Sequence, residues 1–258
     1  MFRGWIDRPG SRMRTAMRLG ARDALLFACA RMLAAISGGR VRLRKYYIMA
    51  QPVHDRPLLP PRRGASLSVA CIDEGDPLAA QFPRPAHVLD FRRRQRAQCI
   101  VARDGERFVG FLWHVRDRYE EDEVRAVFAL HPAGSAAWDF DLHVEARDRM
   151  GPAFLKLWDA ANARLREDGV RWSCSRVSAW NPDSLSSHAR LGARRIGAAL
   201  FLNAGRMQCM LSTLAPCLHL SFGAARPVIA IDTRGLVHPA DARTDSPTKE
   251  TPCSIPIP

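Results

Sequence analysis

Trp138-Asp139-Phe140-Asp141-Leu142-His143-Val144-Glu145 alternates apolar and polar residues, and Ala146-Arg147-Asp148-Arg149-Met150-Gly151-Pro152-Ala153-Phe154 carries the chain onward into a helical pattern. Period two puts Trp138, Phe140, Leu142 and Val144 on one face of a strand and Asp139, Asp141, His143 and Glu145 on the other. Residues 154–165 then repeat apolar positions at three- and four-residue steps until Asp168-Gly169 stops them. A strand running through a Gly-Pro turn into an amphipathic helix is the pivot from which the rest can be placed.

Upstream, residues 99–102 and 108–115 flank Asp104-Gly105, the signature of a tight hairpin, and 124–130 is a third apolar segment. Before them come a strand at 42–52, a Pro- and Arg-rich connection at 54–64, a short strand at 67–72 and a helix at 85–96. Downstream, a strand at 170–178 precedes a helix at 182–191 capped by Asn181, and a hairpin closes the pattern at 199–202 and 207–211. The expected fold class is α+β, a central mixed, mostly antiparallel sheet flanked by helices. Three parts are expected: an extension over residues 1–40, a main domain over 41–215, and a disordered tail over 220–258, where Pro, Thr, Asp and Ser accumulate.

The charge is uneven. The chain carries +13 over 258 residues, and residues 1–45 alone hold ten Arg and one Lys against Asp7 and Asp23, or +9. The basicity therefore belongs to the extension. Residues 12–36 read as an amphipathic helix whose stripe is Leu25, Cys29, Met32 and Ile36, ended by Ser37-Gly38-Gly39. Such a stripe packs on the main domain, meets a second copy to make a homodimer, or rests as a peripheral contact on an anionic membrane. The apolar run from Ala24 is broken by Arg31, far short of the ~20 residues that a spanning helix needs. Nucleic acid is not an expected partner, because the basic stretch lacks interleaved aromatics and any recognition motif. Seven scattered cysteines without a C-x-x-C pair argue against a disulfide framework and a zinc site, so no metal is expected and a cytoplasmic location is.

Two segments carry a family resemblance. Asn181-Pro182-Asp183-Ser184-Leu185-Ser186-Ser187-His188-Ala189-Arg190-Leu191-Gly192 resembles the late N-x-x-A-x-x-x-Y-x-x-x-G motif of the GNAT N-acetyltransferase superfamily. Val144 to Phe154 resembles that family's R-x-x-G-x-G/A loop, whose backbone N–H groups hold the pyrophosphate of coenzyme A at a helix N-terminus. The resemblance covers about residues 99–211 and implies an acyl-CoA-dependent N-acyltransferase, with acetyl-CoA as co-substrate. The acceptor it implies is an amine of a small molecule, an amino sugar or a protein. The implied donor-binding residues are Val144, Arg147, Arg149, Gly151, Ala153, Asn181 and Ser184. The loop departs from the pattern in either register. Placing Arg149 in the basic slot puts Pro152 and Phe154 where glycines belong; a shift by one restores Gly151 and Ala153 but puts Asp148 in the basic slot.

By the same resemblance, the strand that opens on Asp139 parts from the strand at 171–178 to form the cleft. Acyl transfer needs a neutral amine, a stabilised oxyanion and a protonated leaving thiolate. His188 falls where the family has a Tyr that protonates the thiolate, and an imidazolium can do so. Asp141 and His143 are candidate bases, and Asp139 either faces the cleft or pairs with Arg171 or Arg176. Carboxylates at Asp139, Asp141 and Glu145 would favour a cationic acceptor. Two other classes remain open: a GNAT-fold binding or regulatory protein without turnover, and a membrane-surface adaptor that uses the basic helix.

Overall fold

The computed structural model describes residues 18–73 and 75–241. In chain order its elements are α1 (Ala21–Ile36), β1 (Val41–Pro52), β2 (Leu67–Ile72), α2 (Ala86–Arg94), β3 (Gln98–Asp104), β4 (Arg107–Arg116), β5 (Arg118–Glu120), β6 (Val127–His131), β7 (Ala136–Val144), α3 (Ala153–Glu167), β8 (Trp172–Ser178), α4 (Pro182–Arg190), β9 (Arg194–Ala204), β10 (Met207–Ser212), β11 (Leu218–Phe222) and β12 (Val228–Asp232). Nine strands form one sheet in the order β11-β10-β9-β1-β8-β7-β4-β3-β2. Only the β7–β8 pair is parallel; the other neighbours run antiparallel. This is the α+β architecture expected from the sequence.

Successive residues on β3 show how the layers are divided. Ile100 and Ala102 pack under α3 with Leu112, Leu157, Trp158 and Ala161, whereas Cys99 and Val101 pack with Leu89 of α2, Phe111 and Trp113. The α3 face also carries α4, through Leu185 packed on Tyr47, Met49 and Val177. Asn181 caps α4 by accepting a hydrogen bond from the Ser184 N–H at 3.1 Å, and Gly169 (φ +72°) lets the chain leave α3.

Three sequence expectations are corrected. The segment 124–130 is not a third strand of the main sheet: β6 pairs with β5 and β12 in a separate three-stranded sheet, and β4 pairs directly with β7. The small sheet lies over the α2 side, where Phe128 stacks on Trp138 at 4.2 Å and Tyr119 on Phe140 at 4.4 Å between ring centroids. A mostly apolar run says only that a strand is largely buried, not in which sheet. The tail expected to be disordered from residue 220 supplies the end of β11 and all of β12, whose Ile229 and Ile231 are fully buried in the main core. The part of that tail beyond residue 241 lies outside the described residues. Finally, the stripe Leu25, Met32, Ile36 of α1 points outward, and the helix docks through Phe27 and Ala30 instead. Phe27 meets Trp180 at 5.6 Å, and Asp23 binds Lys45 at 2.6 Å and also the Tyr47 hydroxyl.

Among the described residues, no helix is long and apolar enough to cross a membrane, and no group of three His, Cys, Asp or Glu side chains could hold a metal ion. The six described cysteines are free thiols.

Candidate active site

Strands β7 and β8 stay in register for only three residue pairs, Ala136 with Trp172, Ala137 with Ser173 and Trp138 with Cys174. Past Trp138 they part. On its other edge β7 pairs Asp139 with His114 and Asp141 with Trp113, so Phe140 is an extra residue, a β-bulge. The bulge breaks the alternation read from the sequence. Asp139 and Asp141, expected on one face, stand on opposite faces of the sheet.

Asp139 lies on the α3 side, 6% exposed, and accepts a hydrogen bond from Ser173 Oγ at 2.8 Å. Burial raises its pKa to about 7, against the opposing pull of the hydrogen bond from Ser173. Neither candidate arginine pairs with it: Arg171 binds Asp241 at 2.6 Å, and Arg176 binds Glu121 and Glu123. Several polar groups on the same face are enclosed without a hydrogen-bond partner. They are both amide atoms of Gln51 and of Asn162, Ser175 Oγ and Trp158 Nε1. Gln51 sits opposite Ser173 in the β1–β8 register, and Met49 opposite Ser175. Enclosed donors and acceptors left unpaired cost about 1–3 kcal/mol each, so a cluster of them at the parting of two strands marks where a polar ligand chain would be held.

His188 is on α4, its ring edge-on to Trp158 at 6.1 Å, with Nδ1 enclosed and unpartnered. Burial lowers its pKa to about 4. Desolvation thus disfavours the imidazolium expected as thiolate acid. Asp141, on the opposite face, is held by Arg84 and Arg92, each at 2.7 Å. Both of its oxygens accept from guanidinium N–H groups. His143 shares that face, stacked near-parallel on Phe108 at 6.2 Å, and Nε2 lies 3.1 Å from Glu145 Oε1. The structure thus does not bring His188, Asp141 and His143 together at one point.

In the loop between β7 and α3, the first helical hydrogen bond runs from Lys156 N–H to Pro152 O at 2.9 Å, so Ala153 is the first residue of α3 and Asp148 lies in the loop before it. Arg107 covers that carboxylate at 2.7 Å, and Arg147, largely exposed, lies 3.6 Å from it. Arg149 is exposed, and its Nε donates to Val144 O at 3.2 Å. Gly151 N–H is engaged by Asp148 O at 2.9 Å. What the loop offers an anion is the N-terminal end of α3 with its unpaired first-turn N–H groups, together with Arg147. Asn181, a predicted donor-binding residue, spends its side chain as the cap of α4, and Ser184 supplies the N–H it caps.

Sequence reasoning missed Gln51, Asn162, Ser175 and, in its present role, Asp139. The first three have no motif, and only the sheet register and the docking of α3 bring them to one place.

No family model matches the chain, and no curated protein matches it at a significant level. Among solved structures, the fold is similar to a functionally unknown conserved protein from Staphylococcus epidermidis, at 10% identity over 67% of this chain and 66% of that one, TM-score 0.45. It is also similar to a tandem GNAT protein from the clavulanic acid biosynthesis pathway, at 15% identity over 67% and 57% of the two chains, TM-score 0.46. A GCN5-related N-acetyltransferase from Sphaerobacter thermophilus aligns at 17% identity over 65% and 53%, TM-score 0.43. The alignments span between about half and two thirds of those chains. The nine-stranded sheet has one central parallel pair, which parts beside a strand–loop–helix.

Proposed function

We propose that the protein is an acyl-CoA-dependent N-acyltransferase, with acetyl-CoA as donor and an amine as acceptor. The observation that carries the reading is the parting of β7 and β8 beyond Trp138, flanked on the α3 side by enclosed polar groups without partners. The residues fit the donor. Gln51, Ser175 and Asn162 would take the amide groups of the pantetheine arm, and the N-terminus of α3 with Arg147 would face its pyrophosphate. The bound thioester supplies an activated acyl group. Asp139 would accept the proton of the attacking amine, since a carboxyl with a pKa of about 7 is half-ionised where it must work. His188, neutral at rest, would serve as a hydrogen-bonding wall of the cleft rather than as a ready acid.

Calorimetric titration with acetyl-CoA, followed by an amine screen that reads free thiol, tests the proposal. Micromolar binding and thiol release dependent on the amine support it. Folded protein that gives no heat at about 1 mM acetyl-CoA refutes it, since that ceiling corresponds to only about 4 kcal/mol of binding. One observation favours a second reading, a binding protein without turnover. The loop satisfies itself through the Arg149–Val144 and Gly151–Asp148 hydrogen bonds and carries the Asp148 carboxylate before α3. Donor binding with no acyl transfer to any amine would favour that reading.

A further inference from the structure

On the sheet face opposite α3, a groove of about 950 Å³ opens beside the same parted strands. Phe140 and Asp141 of β7 and Arg176 of β8 belong to its lining, so it reaches the parting from the other side. Eight arginines line it against four carboxylates. Three of those carboxylates are already held. Asp141 takes Arg84 and Arg92, and Arg176 binds both Glu121 and Glu123. The carboxylates expected to attract a cationic acceptor are thus covered or elsewhere, because Asp139 is on the other face and Glu145 is engaged by His143.

Arg92 is the informative residue. It is 5% exposed, with one guanidinium edge on Asp141 and its plane near the rings of Trp113 (5.1 Å) and Phe140 (5.4 Å). Its Nη1 is enclosed and has no partner among the described residues. A guanidinium taken from water needs its donors filled, and cation–π contacts occupy its faces, not its N–H edge. Arg125, also in the lining, leaves Nε and Nη2 unpartnered. Its backbone is pinned on both sides by Gln208, which accepts from Arg125 N–H at 2.9 Å and donates to Arg125 O at 2.6 Å. Arg92 Nη1 and Arg125 Nε and Nη2 are thus enclosed, unpartnered guanidinium donors on residues that line the groove, the chemistry that an oxyanion satisfies.

We propose that this groove is the acceptor subsite and that the acceptor is an amine bearing an oxyanion, a carboxylate or a phosphate, held by Arg92 and Arg125 with its amine toward the parted strands. The acceptor role rests on the acyltransferase reading; the anion specificity does not.

The test is calorimetric titration of the full chain, at fixed ionic strength, with two matched pairs: O-phosphoethanolamine against ethanolamine, and glycine against glycinamide. Each is run with and without saturating coenzyme A, which occupies the other face. The phosphate and carboxylate arms distinguish the two oxyanions. The expected result is that at least one anionic member binds at least about tenfold tighter than its neutral twin. Coenzyme A leaves that binding in place, and Arg125→Gln weakens it at least about fivefold. Arg92→Met is expected to abolish it; since removing a buried ion-pair partner can unfold the chain, Arg125→Gln decides alone if that variant does not fold. Equal or tighter binding of the neutral twins, loss of anion binding when coenzyme A is present, indifference to Arg125→Gln, or no heat from any compound up to about 10 mM each overturns the proposal. Anion binding in this pattern without acyl transfer from acetyl-CoA refutes the acyltransferase reading and leaves the oxyanion site standing. Transfer to neutral and anionic amines alike does the reverse.

Discussion

Replacing Asp139 with Asn should make the fold more stable at alkaline pH while removing activity. In the folded chain burial holds the Asp139 pKa at about 7, against 3.8 for an unperturbed carboxyl. Below pH 3.8 both states are protonated and the group contributes its full stability. Between 3.8 and 7 the unfolded chain has released its proton and the folded chain has not. Unfolding free energy therefore falls with pH, by about 1.4 kcal/mol per unit from this one group. Roughly three units make a loss of about 4 kcal/mol by the time the pH passes 7. Asn fills the same volume and can still accept from Ser173 Oγ, but never ionises. Allowing about 1 kcal/mol for a weaker hydrogen bond, the variant should exceed the wild type by about 3 kcal/mol at pH 8 and match it near pH 4. Urea unfolding followed by tryptophan fluorescence at five pH values reads this as two curves that diverge upward from pH 4. Acyl transfer in the wild type should rise through about pH 7, and the variant should lose both the rate and that inflection. Parallel stability curves would refute the assignment of a buried, proton-holding carboxyl at the parting of β7 and β8.

Three other outcomes follow from the site. The ring of His188 should titrate near 4 by proton NMR, with the fold losing stability as pH falls from 6.5 toward 4; a midpoint near 6.5 would mean that the ring is not desolvated. Arg107→Met uncovers Asp148 beside the α3 N-terminus and should weaken acetyl-CoA binding by about fivefold, with Asp148→Asn in the same chain restoring it. If the double variant binds as weakly as the single one, Arg107 acts otherwise than by covering that charge. Gly110→Ala should cost at least about 3 kcal/mol by urea unfolding, because a Cβ there would strike the His143 carbonyl and lie 3.2 Å from Val144 Cα. A loss below about 1 kcal/mol would show that β4 and β7 can move apart at this point.

What the sequence determined is what neighbours along the chain determine. The strand Leu67–Ile72, the hairpin about Asp104-Gly105, the amphipathic α3 and the Asn181 cap were all legible, because period, turn chemistry and capping act over a few residues. The α+β class followed from their order. Only the tertiary structure decided the rest. The bulge at Phe140 depends on how β7 meets β4, and that one extra residue sends Asp139 and Asp141 to opposite faces. The placement of β6 in a second sheet, and of Ile229 and Ile231 in the core, depends on strands about a hundred residues apart in sequence. The outward turn of Leu25, Met32 and Ile36 was set by what Phe27 could reach, since a helix apolar on more than one side has no inward face until something packs on it. The proton affinities of Asp139 and His188 and the unpartnered Nη1 of Arg92 have the same origin. Desolvation is a property of what surrounds a group in space, and nothing within a few residues of it along the chain records that.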